Sequence, residues 1–269
     1  MTPPTVAVIG AGFAGTMACA HLLRARPDLR VLLIERHLPA GPGVAYGTDD
    51  PAHRLNVPAA EMSAWPDEPG HFAAWLGAGD QAFAERRRYG DYLEAQRVGE
   101  VVHGEAIGLL PAGDRLAIRL ASREVIHADR VILALGHFAP ARPAGLPEAI
   151  ATAPWYVGEP WSPAAIAPLT GEALLVGTGL TAVDLALTLL DRAGAARVHL
   201  VSRRAQLPLA WEAPGHHPAW LDPQTAPTRV SQLLHLIAEA ARQAPWRAVL
   251  AGLPANALWA RLPLVEKRR

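Results

Sequence analysis

The stretch TVAVIGAGFAG at residues 5–15 decides the fold of this chain. Val6, Ala7, Val8 and Ile9 form an unbroken apolar run, the pattern of a parallel strand buried on both faces. Gly10, Gly12 and Gly15 follow in the spacing G-x-G-x-x-G, and a helical pattern opening at Phe13 runs over 13–25. The strand before and the helix after give the glycines their meaning. Gly10 permits a tight turn, Gly12 lets the backbone approach a pyrophosphate, and Gly15 lets the helix pack closely on the strand. The free N–H groups and positive dipole end of the helix, at Phe13, Ala14 and Gly15, then favour a diphosphate. A second strand over 31–34 ends in Glu35, 20 residues beyond Gly15, where a carboxylate accepts hydrogen bonds from an adenosine ribose.

The pattern recurs. A strand over 174–176 leads into Gly177, Gly179 and Ala182, spaced G-x-G-x-x-A, and a helix over 181–193 begins beside Leu180 and Thr181. The next strand, 198–201, is followed by Ser202, Arg203 and Arg204, where the first unit has Glu35. An acid suits two ribose hydroxyls, whereas a hydroxyl and two guanidiniums suit a ribose 2′-phosphate, so the second site is expected to prefer NADPH.

Between the motifs, 36–70 is Pro- and Gly-rich without periodicity, the composition of a functional loop. Helices are expected over 71–76 and 89–98, the latter preceded by the basic run Arg86, Arg87 and Arg88. That run reads as a solvated helix start, or else as a phosphate or substrate contact. Strands over 101–106, 116–120 and 125–127, with a turn at 111–114, form a small β-meander. A bare apolar strand over 131–135 ends at Gly136, where a bound nucleotide meets the carboxyl edge of the sheet. The Pro- and Trp-rich segment 138–170 reads as a crossover, and helices follow over 230–243 and 246–253. The expected fold class is α/β: two Rossmann-like dinucleotide-binding domains with parallel sheets, 1–140 and 141–269, and the meander inserted in the first.

Bulk properties agree with a two-domain globular protein. The 269 residues carry 25 Lys+Arg against 25 Asp+Glu, with a mean hydropathy of +0.12, so no global field favours nucleic acid or an anionic membrane. The single cysteine, Cys19, excludes a disulfide framework and a C-x-x-C redox pair. No basic n-region opens the chain and no run of about 18 apolar residues occurs, so a cytoplasmic location is expected. His216 and His217, adjacent in a loop, form no plausible metal site, and no metal is expected. His53, His137, His216 and His217 are candidate proton donors that show no constellation.

Seven phrases carry a resemblance: GPGVAYG at 41–47, HRLNVPA at 53–59, RRRYGDYL at 86–93, VILALGH at 131–137, PW at 160–161, GTGLTAVD at 177–184 and SRR at 202–204. Together they resemble the bacterial FAD/NAD(P)-binding flavoprotein family that includes FAD-dependent urate hydroxylase, and more distantly the flavin-containing and N-hydroxylating monooxygenases. The resemblance implies FAD in the first domain, with Gly10, Gly12 and Ala14 on its diphosphate, Glu35 on its ribose, and Arg36 and the backbone of Ala106 near adenine. It also places the 43–57 loop, with Tyr46 and Asn56, near the isoalloxazine, where the Asn56 amide serves the flavin edge or merely caps a turn. Two departures stand out. ALG at 134–136 replaces the more usual ATG, and relatives continue beyond ALWARLPLVEKRR, so the resemblance implies a chain shortened at its C-terminus.

The function so implied is an FAD-dependent oxidoreductase reduced by NADPH, or by NADH. With no cysteine pair to take electrons, molecular oxygen is the expected acceptor and a small molecule the substrate, as in a monooxygenase. The alternative is an FAD/NADP(H)-binding module without turnover. A dehydrogenase using NADP(H) alone leaves the first motif unexplained and lacks a Tyr-x-x-x-Lys pair.

Overall fold

A computed structural model describes residues 3–37, 39–79, 82–161, 166, 168–211 and 220–268. The chain forms two compact units, Met1–Pro208 and Leu209–Arg269.

The first unit opens with β1 (Thr5–Ile9), α1 (Phe13–Ala25) and β2 (Arg30–Glu35). There follow α2 (Gly43–Tyr46), a 3₁₀ turn at Ala59–Glu61, α3 (His71–Leu76) and α4 (Arg86–Ala95). Strands β3 (Glu100–His103), β4 (Ala106–Ala112), β5 (Arg115–Leu120), β6 (Val125–Ala128) and β7 (Arg130–Leu133) come next. The short helix α5 (Glu148–Ala151) precedes the second motif, made of β8 (Glu172–Val176), α6 (Leu180–Asp191) and β9 (Arg197–Val201).

Four strands make a parallel sheet in the order β3-β2-β1-β7, with Ile9 beside both Ile34 and Leu133. Side-chain alternation along β1 divides the core. Val6 and Val8 pack on the side of Cys19 in α1, whereas Ala7 and Ile9 pack with Ile118, Leu120 and Ala128 of the meander. All five β1 residues are buried, as a strand covered on both faces requires. A third cluster joins α3 and α4 through Phe72, Tyr89, Tyr92 and Leu93.

The structure refines four boundaries. The strand expected over 101–106 is two: β3 extends the parallel sheet, and β4 begins the antiparallel β4-β5-β6 meander. The break falls at Gly104, whose N–H donates to the Glu35 carbonyl at 2.9 Å. The expected turn at 111–114 shrinks to residues 113–114, because Pro111 lies within edge strand β4 opposite Leu116, where its missing N–H is tolerated. Helix α4 starts at Arg86 rather than Tyr89, since Glu85 takes the extended N-cap conformation and the Arg86 N–H donates to the His53 carbonyl. Strand β7 stops at Leu133, two residues before the expected end.

The second unit holds α7 (Val230–Gln243), α8 (Trp246–Ala251), α9 (Ala255–Arg261) and α10 (Leu264–Lys267). Leu233, Leu258 and Leu262 close its core over Ala226. Pro245, Pro254 and Pro263 each stand at the N-cap of the next helix, so proline punctuation sets the segmentation.

Candidate nucleotide-binding sites

At the first motif, Gly10 takes a φ of +99°, and a Cβ there would lie 2.2 Å from the Ala134 carbonyl oxygen. A Cβ on Gly15 would lie 1.8 Å from the Gly10 carbonyl oxygen, so only glycine allows α1 to sit this close to the turn. Gly12 is the N-cap of α1 and contributes no side-chain cap, which leaves the first-turn N–H groups at Phe13 and Ala14 available to an anion. The 41–46 segment closes over this turn. The Gly41 N–H donates to the Ala11 carbonyl at 2.7 Å, and Tyr46 meets the Phe13 ring edge-on at 6.0 Å.

Glu35 stands at the tip of β2. One carboxylate oxygen accepts the Ala11 N–H at 2.6 Å and the other accepts the His37 N–H at 2.9 Å. An ionised carboxylate offers about four acceptor positions, so two remain for ribose hydroxyls after these bonds are made. Arg36 is exposed and pairs with Glu105 at 3.2 Å, while the His103 ring bonds the Arg36 carbonyl at 3.0 Å. Ala106 follows as the first residue of β4. The structure thus gathers Gly10, Gly12, Phe13, Ala14, Gly15, Glu35, Arg36, Tyr46 and Ala106 around the ends of β1 and β2. Gly136 is exposed with a φ of +71°, and Asn56 is exposed on a bend, its amide forming no hydrogen bond among the described residues. The glycine turn, the uncapped helix end and the spare acceptors of Glu35 together fit a dinucleotide.

At the second motif, the Gly177 N–H bonds the Val201 carbonyl at 2.8 Å, and Gly179 caps α6, again without a side-chain bond. An added Cβ on Gly177 or Gly179 would meet nothing within 4 Å. Beyond β9 an open cleft of about 290 Å³ is lined by Thr178, Ser202, Arg203, Arg204 and Gln206. Thr178 donates to the Gln206 carbonyl at 2.7 Å, so Ser202 gives its proton to Thr178 at 2.9 Å, and it accepts the Ala205 N–H at 3.0 Å. The serine shapes the turn and the arginines face the cleft, neither of them in an ion pair among the described residues. Leu180 and Thr181, the first residues of α6, are exposed beside this cleft.

One polar cluster escaped the sequence reading. His53, Asp50, Asp184 and Thr188 are buried together, with Arg86 Nη2 2.6 Å from Asp184 Oδ2. Arg86 is therefore neither a solvated helix start nor free for phosphate; Arg88 pairs with Asp91, and Arg87 is exposed. Burial pushes the Asp184 carboxyl up, against the charges of Arg86 and His53. Burial also works to raise Asp50, but the Thr188 hydroxyl, the Ala52 amide and the charges of His53 and Arg192 outweigh it and hold that carboxyl low. The sequence showed His53, Arg86 and Asp184 singly, within separate phrases, and Asp184 and Thr188 as polar residues in an apolar helical pattern, but nothing that joined them. His137 is exposed, and His216 and His217 lie outside the described residues. Among the described residues no group of three or more His, Cys, Asp or Glu side chains is placed to hold a metal, and no helix is long and apolar enough to cross a membrane.

Comparison with known proteins agrees with this geometry. Residues 7–138 match the family model described as FAD-NAD(P)-binding. No curated protein matches the chain. Among solved structures, OTEMO in complex with FAD and NADP is similar at 18% identity and a TM-score of 0.53, covering 74% of this chain and 39% of its own. A cyclohexanone monooxygenase mutant from Rhodococcus sp. Phi1 bound to NADP+ is similar at 19% identity and a TM-score of 0.52, covering 75% and 39%. S-allyl-L-cysteine S-oxygenase from Allium sativum matches at 19% identity and a TM-score of 0.51, covering 78% and 54%. This chain thus spans between two-fifths and just over half of the length of those proteins, and the likeness is one of fold.

Proposed function

We propose that the protein is an FAD-dependent oxidoreductase of monooxygenase type, reduced by NADPH, with FAD held by residues 1–140 and the nicotinamide nucleotide by residues 141–269. The observation that carries this reading is the difference between two otherwise parallel motifs: one strand tip presents a carboxylate with acceptors to spare, the other two guanidiniums over a cleft that form no ion pair among the described residues. Gly10, Gly12, Phe13, Ala14 and Gly15 would hold the FAD diphosphate by backbone, Glu35 its ribose, and Arg36 with Ala106 the adenine side. Gly177, Gly179, Leu180 and Thr181 would hold the second diphosphate, and Arg203 and Arg204 the 2′-phosphate, with Ser202 fixing their turn. Tyr46, Asn56 and Gly136 would face the flavin, and the Asn56 amide is free to bond its edge.

Bound flavin would supply two-electron chemistry between NADPH and an acceptor. The sole cysteine is buried in α1, where burial pushes its thiol up to about 11, and it has no second cysteine with which to form a disulfide that could accept electrons. Molecular oxygen and a small-molecule substrate complete the reading, with the cytoplasm as its location. Both ring nitrogens of His53 are engaged, which removes it from the candidate proton donors. The fold neighbours include a cyclohexanone monooxygenase and an S-allyl-L-cysteine S-oxygenase by title, which supports this class.

The thin framework of the second motif favours a second reading, a binding module without turnover. Strands β8 and β9 form a sheet of two, and Leu174 and Val176 are 64% and 72% exposed. Aerobic assay of FAD-loaded protein separates the two. The oxidoreductase oxidises NADPH with matching oxygen uptake, and more slowly NADH; a protein that binds both nucleotides and consumes neither NADPH nor oxygen is a binding module.

A further inference from the structure

The buried polar cluster joins parts of the chain that belong to different nucleotide motifs. Thr48, Asp50 and His53 come from the loop that carries Tyr46 at one end and Asn56 at the other; Asp184 and Thr188 come from α6, whose N-terminus is Gly179. Thr188 Oγ1 donates to Asp50 Oδ2 at 2.6 Å, so it must accept from His53 Nε2 at 2.8 Å. The Thr48 hydroxyl oxygen lies 2.7 Å from His53 Nδ1, and the Ala52 N–H closes on Asp50 Oδ1 at 3.0 Å. Arg86 from α4 and Arg192 beyond α6 bring charge to Asp184 and Asp50, and Trp161 meets the His53 ring edge-on at 5.4 Å.

Apolar packing tolerates sliding by a fraction of an ångström, but directed bonds among the buried Asp50, His53 and Thr188 side chains tolerate it less, because they are shielded from water that could replace a lost partner. Displacing α6 along its axis would break the bonds of Thr188 to Asp50 Oδ2 and to His53 Nε2 together, both of them buried. The loop beside the first site and the helix that opens the second therefore hold one relative position.

We propose that Thr188, with Asp50 and His53, is a positioning residue that locks α6 to the 48–53 loop and thereby couples occupancy of the two nucleotide sites. This rests on the reading of the motifs as FAD and NADP(H) sites. Coupling is reciprocal: a nucleotide that orders α6 also orders the loop, so each ligand tightens the other by the same factor.

The test measures FAD affinity with and without saturating NADP+ in wild-type protein, Thr188→Val and Thr188→Ser. Wild type is expected to bind FAD about 5-fold or more tightly with NADP+ present, the low end of ordinary coupling. Thr188→Val should lose that factor while its affinity for each nucleotide alone changes less than about 3-fold, and Thr188→Ser should keep it. Absence of coupling in wild type, or retention of the full factor in Thr188→Val, overturns the proposal; if Thr188→Val does not fold, Asp50→Asn takes its place. A wild-type chain that fails to bind either nucleotide contradicts the functional reading instead. Hydrogen exchange on ligand-free protein then decides the lock: amides of 48–55 and 184–191 lose protection together in Thr188→Val if it exists, and keep it if it does not.

Discussion

The two glycine motifs of this chain share a spacing and differ in everything that surrounds it. The first sits in a four-stranded sheet covered on both faces, and its glycines are pressed against backbone on the far side of the turn. The second sits on a pair of strands whose apolar side chains remain in solvent, and its glycines border open space. In the first, packed backbone demands glycine as well as a ligand does; in the second, Gly177 is held by its φ of +129°, and the space beside Gly179 is left to a ligand. A sequence pattern thus reports a ligand geometry, while the cost of violating it is set by the packing behind it.

That contrast yields its largest effect at Gly15. Gly15→Ala forces a Cβ to within 1.8 Å of a carbonyl oxygen, and α1 must leave the sheet; the loss is expected to exceed about 3 kcal/mol, the upper range for overpacking, seen as failure of the soluble protein to unfold cooperatively. Gly179→Ala should stay within about 1 kcal/mol of wild type in thermal unfolding, the cost of an N-cap change, while the second nucleotide binds less tightly. Equal destabilisation by the two substitutions would erase the distinction.

The sealed packing beneath β1 also predicts an alkaline transition. Cys19 is fully buried, donates to the Val98 carbonyl, and has its thiol raised from 9.0 to about 11. Between those values the unfolded chain loses a proton that the native state keeps, so stability falls as pH rises, by about 3 kcal/mol over the whole window. Urea unfolding of wild type and Cys19→Ala across that range should show the slope in the first and a weaker slope in the second.

Next in size is the Arg86–Asp184 pair. Arg86→Met leaves a nearly buried carboxylate without its cation; because the pair is not fully sealed, the expected loss is about 2 kcal/mol rather than the larger values for deep pairs. Asp184→Asn in the same background should recover part of it, which chemical denaturation of the double variant measures.

Much of this was legible in the sequence. Helix α1 and the core of β1 were fixed by an unbroken apolar run and three glycines, and α3 and α7 by helical spacing, because local pattern and tertiary burial agree there. The split at Gly104 was not legible, since it depends on a carbonyl of Glu35 some 70 residues earlier in the chain. Ser202 looked like a phosphate donor from its place after β9, yet its proton is committed to Thr178, a choice that only three-dimensional neighbours reveal. The Asp50–His53–Thr188 chain was hidden for the same reason: its members are up to 138 residues apart and no pattern links them.

The smallest effect on folding falls at the second strand tip. Replacing Arg203 and Arg204 together with alanine removes two exposed guanidiniums that hold no structural bond, so unfolding should be unchanged; NADPH affinity should fall by about 1 to 3 kcal/mol with NADH unaffected, the scale of lost charge-assisted bonds. Isothermal titration with each nucleotide checks both halves of that statement.

The central claim, one chain with an FAD site at its first motif and an NADPH site at its second, is tested most directly by the visible absorption of FAD-loaded protein without oxygen as NADPH, and separately NADH, is added. The account predicts that the flavin band bleaches with both, faster with NADPH. A flavin band that persists at saturating concentrations of both nucleotides would contradict it.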